Sequence, residues 1–214
     1  MKLYGAILSP FVCRVALGLS HKNLKYDMVM PEDGLQSPEY LRINPIGKIP
    51  TLQDGKVRLP ESGVILEYLD AKYGNRKKLF PGMPGASAKV RLICKILEEY
   101  VGPATFGLFG QTDPKKRNKK VIKEKKIEVE KSLDWLNKFI STGPYAAGKT
   151  FSAADCYFVP AMFWLHALLP QVGVKDPLAK HKNVKKAWIA VKRDKMVRNT
   201  LKDMGKMMKT FRAG

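Results

Sequence analysis

A chain of 214 residues with 45% hydrophobic side chains can bury a substantial core, as one large domain or two small ones, so disorder is excluded as the starting assumption. Its formal net charge of +20 is uneven: residues 1–80 hold 12 basic and 8 acidic side chains, leaving 27 and 11 beyond. No apolar run reaches the ~18 residues of a membrane span, the first residues read as a strand rather than a signal peptide, and a cytoplasmic protein is expected. Cys13, Cys94 and Cys156 are odd in number and widely spaced, and with three His in no cluster they predict reduced thiols and no metal site.

Taken in chain order, Lys2–Leu8 reads as a strand, and Ser9-Pro10 as an N-cap with proline at the first helical position, opening a helix through about Lys22. Lys25–Met30 resembles a second strand, Ser37-Pro38 repeats the cap signal, and Asn44-Pro45 ends the short helix. Asp54-Gly55 is a hairpin turn between Thr51–Gln53 and Lys56–Leu59. Ser62 is expected to cap a helix carrying Val64, Ile65, Tyr68 and Leu69 at helical spacing. The order strand, helix, strand, helix, hairpin, helix predicts a parallel pair joined by a crossover and completed by an antiparallel pair, a thioredoxin-like α/β domain over residues 1–78.

The Pro/Gly-rich stretch 79–85 suits a linker, and residues 86–214 are expected to form an all-α domain. Its helices are placed at about Ala86–Phe109 with a disturbance at Gly102-Pro103, Pro114–Ile140, Ser152–Leu169 enclosing Pro160, and one or two over Asn183–Phe211. Ser152 and Asp155 form a capping-box pattern before an apolar helix assigned to the core. The basic run Lys115-Lys116-Arg117-Asn118-Lys119-Lys120 has no interleaved aromatic residue and is read as a solvated helix face, which makes nucleic acid an unlikely partner.

Two stretches suggest a site. In Asn44–Leu52 a proline at the mouth of an apolar strand cannot donate to a ladder, so the Ile49 backbone is left to pair with something else, and a cis Ile49–Pro50 bond is plausible. In Pro60-Glu61-Ser62 an acid and a hydroxyl stand where a helix begins, whose free amides can seat a carboxylate. Together they predict a seat for a small peptide-like anion.

With Ser9–Arg14, the Asn44–Pro50 run, Glu61-Ser62 and Phe151–Asp155, the chain resembles the glutathione S-transferases over nearly its whole length, and is most similar to their serine-type tau and phi classes. A phi-type protein usually carries His-Lys where Leu35-Gln36 stand here. The resemblance implies a catalytic Ser9 that stabilises the thiolate of glutathione as cosubstrate. It implies a glutathione site of Lys48, Ile49, Pro50, Glu61 and Ser62, and a pocket for a hydrophobic electrophile drawn from Phe11, Phe106, Phe109 and Trp164. Conjugation, with peroxide reduction as a further activity, a detoxification role and a homodimer follow from the same resemblance. Two alternatives are a non-catalytic interaction module and a thiol-disulfide oxidoreductase; the latter wants a cysteine at position 9, and Cys13 lies about one helical turn farther on.

Overall fold

The computed structural model describes residues 1–75 and 77–213; Arg76 and Gly214, which fall within the predicted domains, lie outside the described residues. The chain packs as two compact units, Met1–Phe80 with Asp194–Gly214, and Pro81–Arg193.

The first unit holds a four-stranded sheet of order β2-β1-β3-β4, formed by β1 (Lys2–Tyr4), β2 (Asp27–Val29), β3 (Thr51–Asp54) and β4 (Val57–Pro60). β1 runs parallel to β2 and antiparallel to β3, and β3 pairs antiparallel with β4, as expected for a thioredoxin-like unit. Strand β1 is shorter than predicted. Gly5 takes φ +138°, where β1 ends, although its N–H still donates to Val29 O of β2 at 2.8 Å. The hairpin is shifted by one residue: Asp54 pairs with Val57, so the loop is Gly55-Lys56, with Gly55 at φ +61°.

Helix α1 (Pro10–His21) follows β1, α2 (Pro38–Ile43) follows β2, and α3 (Ser62–Lys72) follows the hairpin. Leu3 and Leu52 of the sheet pack with Val12, Val15, Ala16 and Leu19 of α1 and Ile65 and Leu69 of α3, so these two helices cover one face. Successive strand residues point to opposite faces. Tyr4, next to Leu3, accordingly meets Tyr40 of α2 with ring centroids 5.7 Å apart. Asp54 Oδ2 ties the hairpin to α3 by accepting from Tyr68 Oη, Lys72 Nζ and Tyr73 Oη at 2.8–3.0 Å. Partial burial works to raise this carboxyl, but the hydrogen bonds from Lys72, Tyr73 and Tyr68 outweigh it and hold it below the usual carboxylate range.

The second unit is all-helical: α4 (Pro84–Ile96), α5 (Gly102–Phe106), α6 (Lys119–Phe139), α7 (Ala153–Leu168) and α8 (Lys182–Val191). Pro84, placed in the linker on sequence, is the first residue of α4, where its missing N–H costs nothing. The disturbance before Pro103 is a π-helical turn, Leu97–Val101, in which Gly102 N–H donates to Leu97 O. Proline cannot donate and its ring crowds the carbonyl four residues back, so the ladder widens there. Asp113-Pro114 opens only one 3₁₀ turn; α6 begins at Asn118, whose side chain accepts from Lys120 N and Val121 N. Helix α7 is buried almost throughout, Pro160 included, and packs against α4, α5 and α8. Its predicted capping box is present, with Asp155 accepting from Ser152 N at 2.9 Å and Ser152 Oγ at 3.1 Å.

The final helix, α9 (Lys195–Ala213), was expected with the helical domain. It groups instead with the first unit, where Met204 is fully buried and its sulfur accepts from Cys13 Sγ of α1 at 3.5 Å.

Candidate functional site

The chain between α2 and β3 is held by a small buried polar set. Asn44 follows α2, and its Nδ2 donates to Lys48 O at 2.7 Å and to Thr51 Oγ1 at 3.0 Å. Tyr40 Oη donates to the same Lys48 carbonyl at 2.7 Å and lies 2.9 Å from Thr51 Oγ1. Asn44 Oδ1 accepts from Ile46 N at 3.0 Å, closing a local turn over Pro45. Gly47 sits at φ +64° with its carbonyl accepting from Gln36 Nε2 at 3.1 Å; a Cβ there would stand 2.6 Å from that same nitrogen. The left-handed backbone there favours glycine. Behind this bend Lys48 extends into solvent, Ile49 is half-buried, Pro50 is buried, and the Ile49–Pro50 peptide is cis. The β1–β3 ladder begins at Thr51, so Ile49 stands outside the ladder at the rim of the sheet.

The start of α3 faces the same place. Glu61 is the N-cap, at φ 66° and ψ 108°, a left-handed backbone that an L-residue adopts at a cost of about 1–3 kcal/mol. Its side chain makes no capping bond. Ser62, expected as the cap, is instead the first helical residue: it is buried, and its Oγ accepts from Arg14 Nη1 of α1 at 3.4 Å. The first amides of α3 therefore have no capping side chain, and they carry the positive end of the helix dipole.

A groove of about 190 Å³ unites these segments, lined by Asn44, Ile46, Lys48, Ile49, Pro50, Pro60, Glu61 and Ser62, with Phe11 of α1 beside them. Among its described lining residues Lys48 is the one cation and Glu61 the one acid. All five residues that the resemblance implies for a glutathione site thus line one groove. Ser9, two residues before Phe11, does not line the groove. It caps α1, accepting from Val12 N at 3.4 Å, and is half-buried. Its oxygen serves as acceptor in that bond, which leaves the hydroxyl hydrogen to donate.

Of the four aromatic candidates for an electrophile pocket, only Phe11 belongs to the groove, with the Arg14 guanidinium 4.7 Å over its ring. Phe106, Phe109 and Trp164 form a cluster of their own in the second unit, with ring centroids 5.8–6.0 Å from Trp164. Trp164 is core, whereas Phe109 is 44% exposed.

Sequence reasoning assigned no role to Arg14, Tyr40 or Thr51. The signal available for Arg14 was a cation inside an apolar helix stretch, Val12-Cys13-Arg14-Val15, where a buried guanidinium needs acceptors. Tyr40 and Thr51 left no signal, because both sit where ordinary core residues would. The Cys13 thiol is fully buried, and burial pushes it well above its ordinary range despite the neighbouring Arg14 charge. Among the described residues no group of three or more His, Cys, Asp or Glu is arranged for a metal, and no helix is long and apolar enough to cross a membrane.

Comparison with known proteins matches residues 3–77 to "Glutathione S-transferase, N-terminal domain" and residues 90–191 to "Glutathione S-transferase, C-terminal domain". Glutathione S-transferase 3 of Zea mays is 28% identical over 204 residues, covering 89% of this chain and 88% of the relative. A glutathione S-transferase of Pseudomonas putida is 30% identical over 159 residues, covering 74% of this chain and 71% of the relative. Among solved structures, glutathione S-transferase I bound with lactoylglutathione aligns at TM-score 0.79 and 27% identity, over 94% of this chain and 98% of that one. Glutathione transferase F7 from Populus trichocarpa aligns at TM-score 0.81 and 24% identity, over 95% and 98%, which speaks for the fold. With both domain models matched in order on a mixed four-stranded sheet and a helical unit, the chain belongs to the glutathione S-transferase family of enzymes.

Proposed function

We propose that the groove between the Asn44–Pro50 bend and the start of α3 is the seat of glutathione, and that Ser9 donates its hydroxyl hydrogen to the glutathione thiolate. The observation that carries this reading is the convergence of Lys48, Ile49, Pro50, Glu61 and Ser62 on one groove. The donor set suits a peptide with two carboxylates and an ammonium group. The amides at the start of α3, with Ser62, would take the γ-glutamyl carboxylate, and Glu61 would face the ammonium. The Ile49 backbone would pair with the cysteinyl residue as an added strand does, and Lys48 would meet the glycine carboxylate.

The reacting species is the thiolate, since a thiol with an ordinary pKa of about 8.5 is mostly protonated at neutral pH. A hydrogen bond from Ser9, at the dipole-positive end of α1, favours the anion, and the thiol proton leaves to solvent. With chlorodinitrobenzene as electrophile, the sulfur attacks the carbon bearing chlorine, the C–S bond forms, and chloride departs with the C–Cl electron pair. Phe11 supplies an apolar wall in the first unit; Phe106, Phe109 and Trp164 are the second unit's candidates for contact with an apolar electrophile. The burial of Cys13 weighs against thiol-disulfide exchange there. Family membership supports a cytoplasmic homodimer with a role in detoxification.

Ser9→Ala tests the assignment. Loss of one hydrogen bond to a charged group is expected to lower kcat about 10- to 100-fold, with little change in KM for glutathione. The ultraviolet titration of the thiolate in the glutathione complex should shift to higher pH. An unchanged rate and titration would remove Ser9 from the reaction.

A further inference from the structure

The glutathione groove does not account for the charge concentrated at the start of α6. Residues 113–127 carry eight basic side chains and two acidic ones, Asp113 and Glu124. Lys115 and Lys116 lie in the 3₁₀ turn before the helix, and Lys119, Lys120 and Lys123 in its first two turns. All five are exposed and make no ion pair among the described residues. The nearby acids are largely committed elsewhere: Asp113 Oδ1 accepts from Lys115 N at 2.9 Å, and Glu128 is bridged to Lys125 at 2.6 Å.

The helix presents these charges on one face. Lys119 and Lys123 are one turn apart, as are Lys123 and Ile127, and Lys120 stands two turns before Ile127. Ile127 is 59% exposed, whereas Val121 and Ile122 turn inward and Val129 is buried. The loop after α7 borders this face. Arg117 Nη2 donates to Gln171 O at 2.5 Å, and a Cβ on Gly173 would lie 3.9 Å from Lys126 Nζ. That loop brings the exposed Lys175 and the acid Asp176, itself bridged to Lys185 at 2.7 Å.

A face this positive attracts a polyanion, and its chemistry selects which one. Seven of the eight cations are lysine. The one arginine spends its guanidinium on the carbonyls of Gln111, Thr112 and Gln171. The planar fork that grips nucleic-acid phosphates is therefore engaged, and residues 113–127 contain no aromatic ring on which a base could stack. Lysine is a compact, hydrated point charge on a flexible stem, which suits mobile head groups without fixed geometry. An exposed aliphatic side chain among lysines on a helix face matches the boundary between head groups and acyl chains.

We propose that this face of α6 docks peripherally on the surface of an anionic phospholipid bilayer, with Lys115, Lys116, Lys119, Lys120 and Lys123 against the head groups and Ile127 at the acyl boundary. The surface uses no residue of the glutathione groove.

The test sediments the full chain with phosphatidylcholine vesicles containing about 30% phosphatidylserine, and with phosphatidylcholine vesicles alone, at about 0.15 M salt. Saturable binding to the anionic vesicles only is expected. The triple variant Lys119→Gln/Lys120→Gln/Lys123→Gln should weaken it about 100-fold. These lysines stand at the dipole-positive start of α6, so their neutralisation should hold or raise Tm, and the lost binding is then not unfolding. Lys2→Gln/Lys25→Gln/Lys56→Gln removes the same charge from exposed positions of the first unit and should weaken binding about threefold at most. Absence of binding to anionic vesicles would overturn the proposal, and so would equal losses in the two triple variants, which would make net charge alone responsible. Tighter binding of a short DNA duplex or of polyglutamate than of the vesicles, at the same salt, would overturn it in favour of a nucleic acid or an acidic protein.

Discussion

Asn44 Nδ2 donates to the carbonyl of Lys48 at 2.7 Å, and that bond sets the direction in which the chain enters the groove at Ile49. The same side chain serves Thr51 and Ile46, so one residue fixes the bend at three points.

Asn44→Ala is therefore expected to cost about 1–3 kcal/mol in denaturant unfolding, because Thr51 Oγ1 and the Ile46 amide lose partners while Lys48 O keeps only Tyr40. Its kinetic signature should be a raised KM for glutathione with kcat closer to wild type, since the bend shapes the proposed seat and not the proposed thiolate donor. Asn44→Asp should be worse than alanine: a carboxylate cannot donate to Lys48 O and would face it as a second acceptor. A variant with lowered stability and unchanged KM would separate the bend from the site.

Lys22 and Asp70 make a second, purely structural, bond. Lys22 is almost fully buried, and its Nζ lies 2.7 Å from Asp70 Oδ1 while donating to Tyr73 O and Lys77 O. Asp70 also accepts from the amides of Leu79 and Phe80. Removing the acid leaves a fully buried charge on the neutral carbonyls of Tyr73 and Lys77 and also takes the acceptor from the Leu79 and Phe80 amides, whereas removing the lysine leaves a partly exposed carboxylate that still has two amide donors. Asp70→Ala should thus cost about 3–5 kcal/mol and Lys22→Met less. A double-mutant cycle should show the two losses to be strongly non-additive, and additive losses would mean that the pair is not coupled.

Burial raises the Asp155 carboxyl to about 7, although hydrogen bonds from Ala146 N, Ser152 N and Ser152 Oγ act to lower it. The unfolded carboxyl titrates near 3.9, so folding takes up a proton between these values. Stability should fall as pH rises from about 4 to about 7, by at most about 1.4 kcal/mol per pH unit, and level off above. Asp155→Asn should lack this decline, which thermal or urea unfolding across the window would reveal. Asp155→Ala, which leaves the Ala146 and Ser152 donors without their acceptor, should be the less stable of the two at every pH.

Much of the fold was legible because its punctuation is local. Ser9-Pro10 and Ser37-Pro38 cap their helices through bonds to the third residue on, and Asp155 caps α7 across three positions. A capping bond of this span depends on little beyond its own turn, so it can be read without the rest of the molecule. The errors also have local causes. Gly5 ended β1 early by its positive φ, and Asn118 outcompeted Asp113 as the start of α6.

By itself, the sequence determined the order of elements, the two stretches around Ile49–Pro50 and Glu61-Ser62 that meet in one groove, and the serine at the head of α1. Each depends on backbone chemistry within a few residues. The tertiary structure alone decided that Arg14 reaches Ser62 across 48 positions, that Lys22 is buried against Asp70, and that α9 returns to pack on α1. Contacts between distant segments arise from how amphipathic faces fit together, and they leave no spacing in the chain from which they could be read.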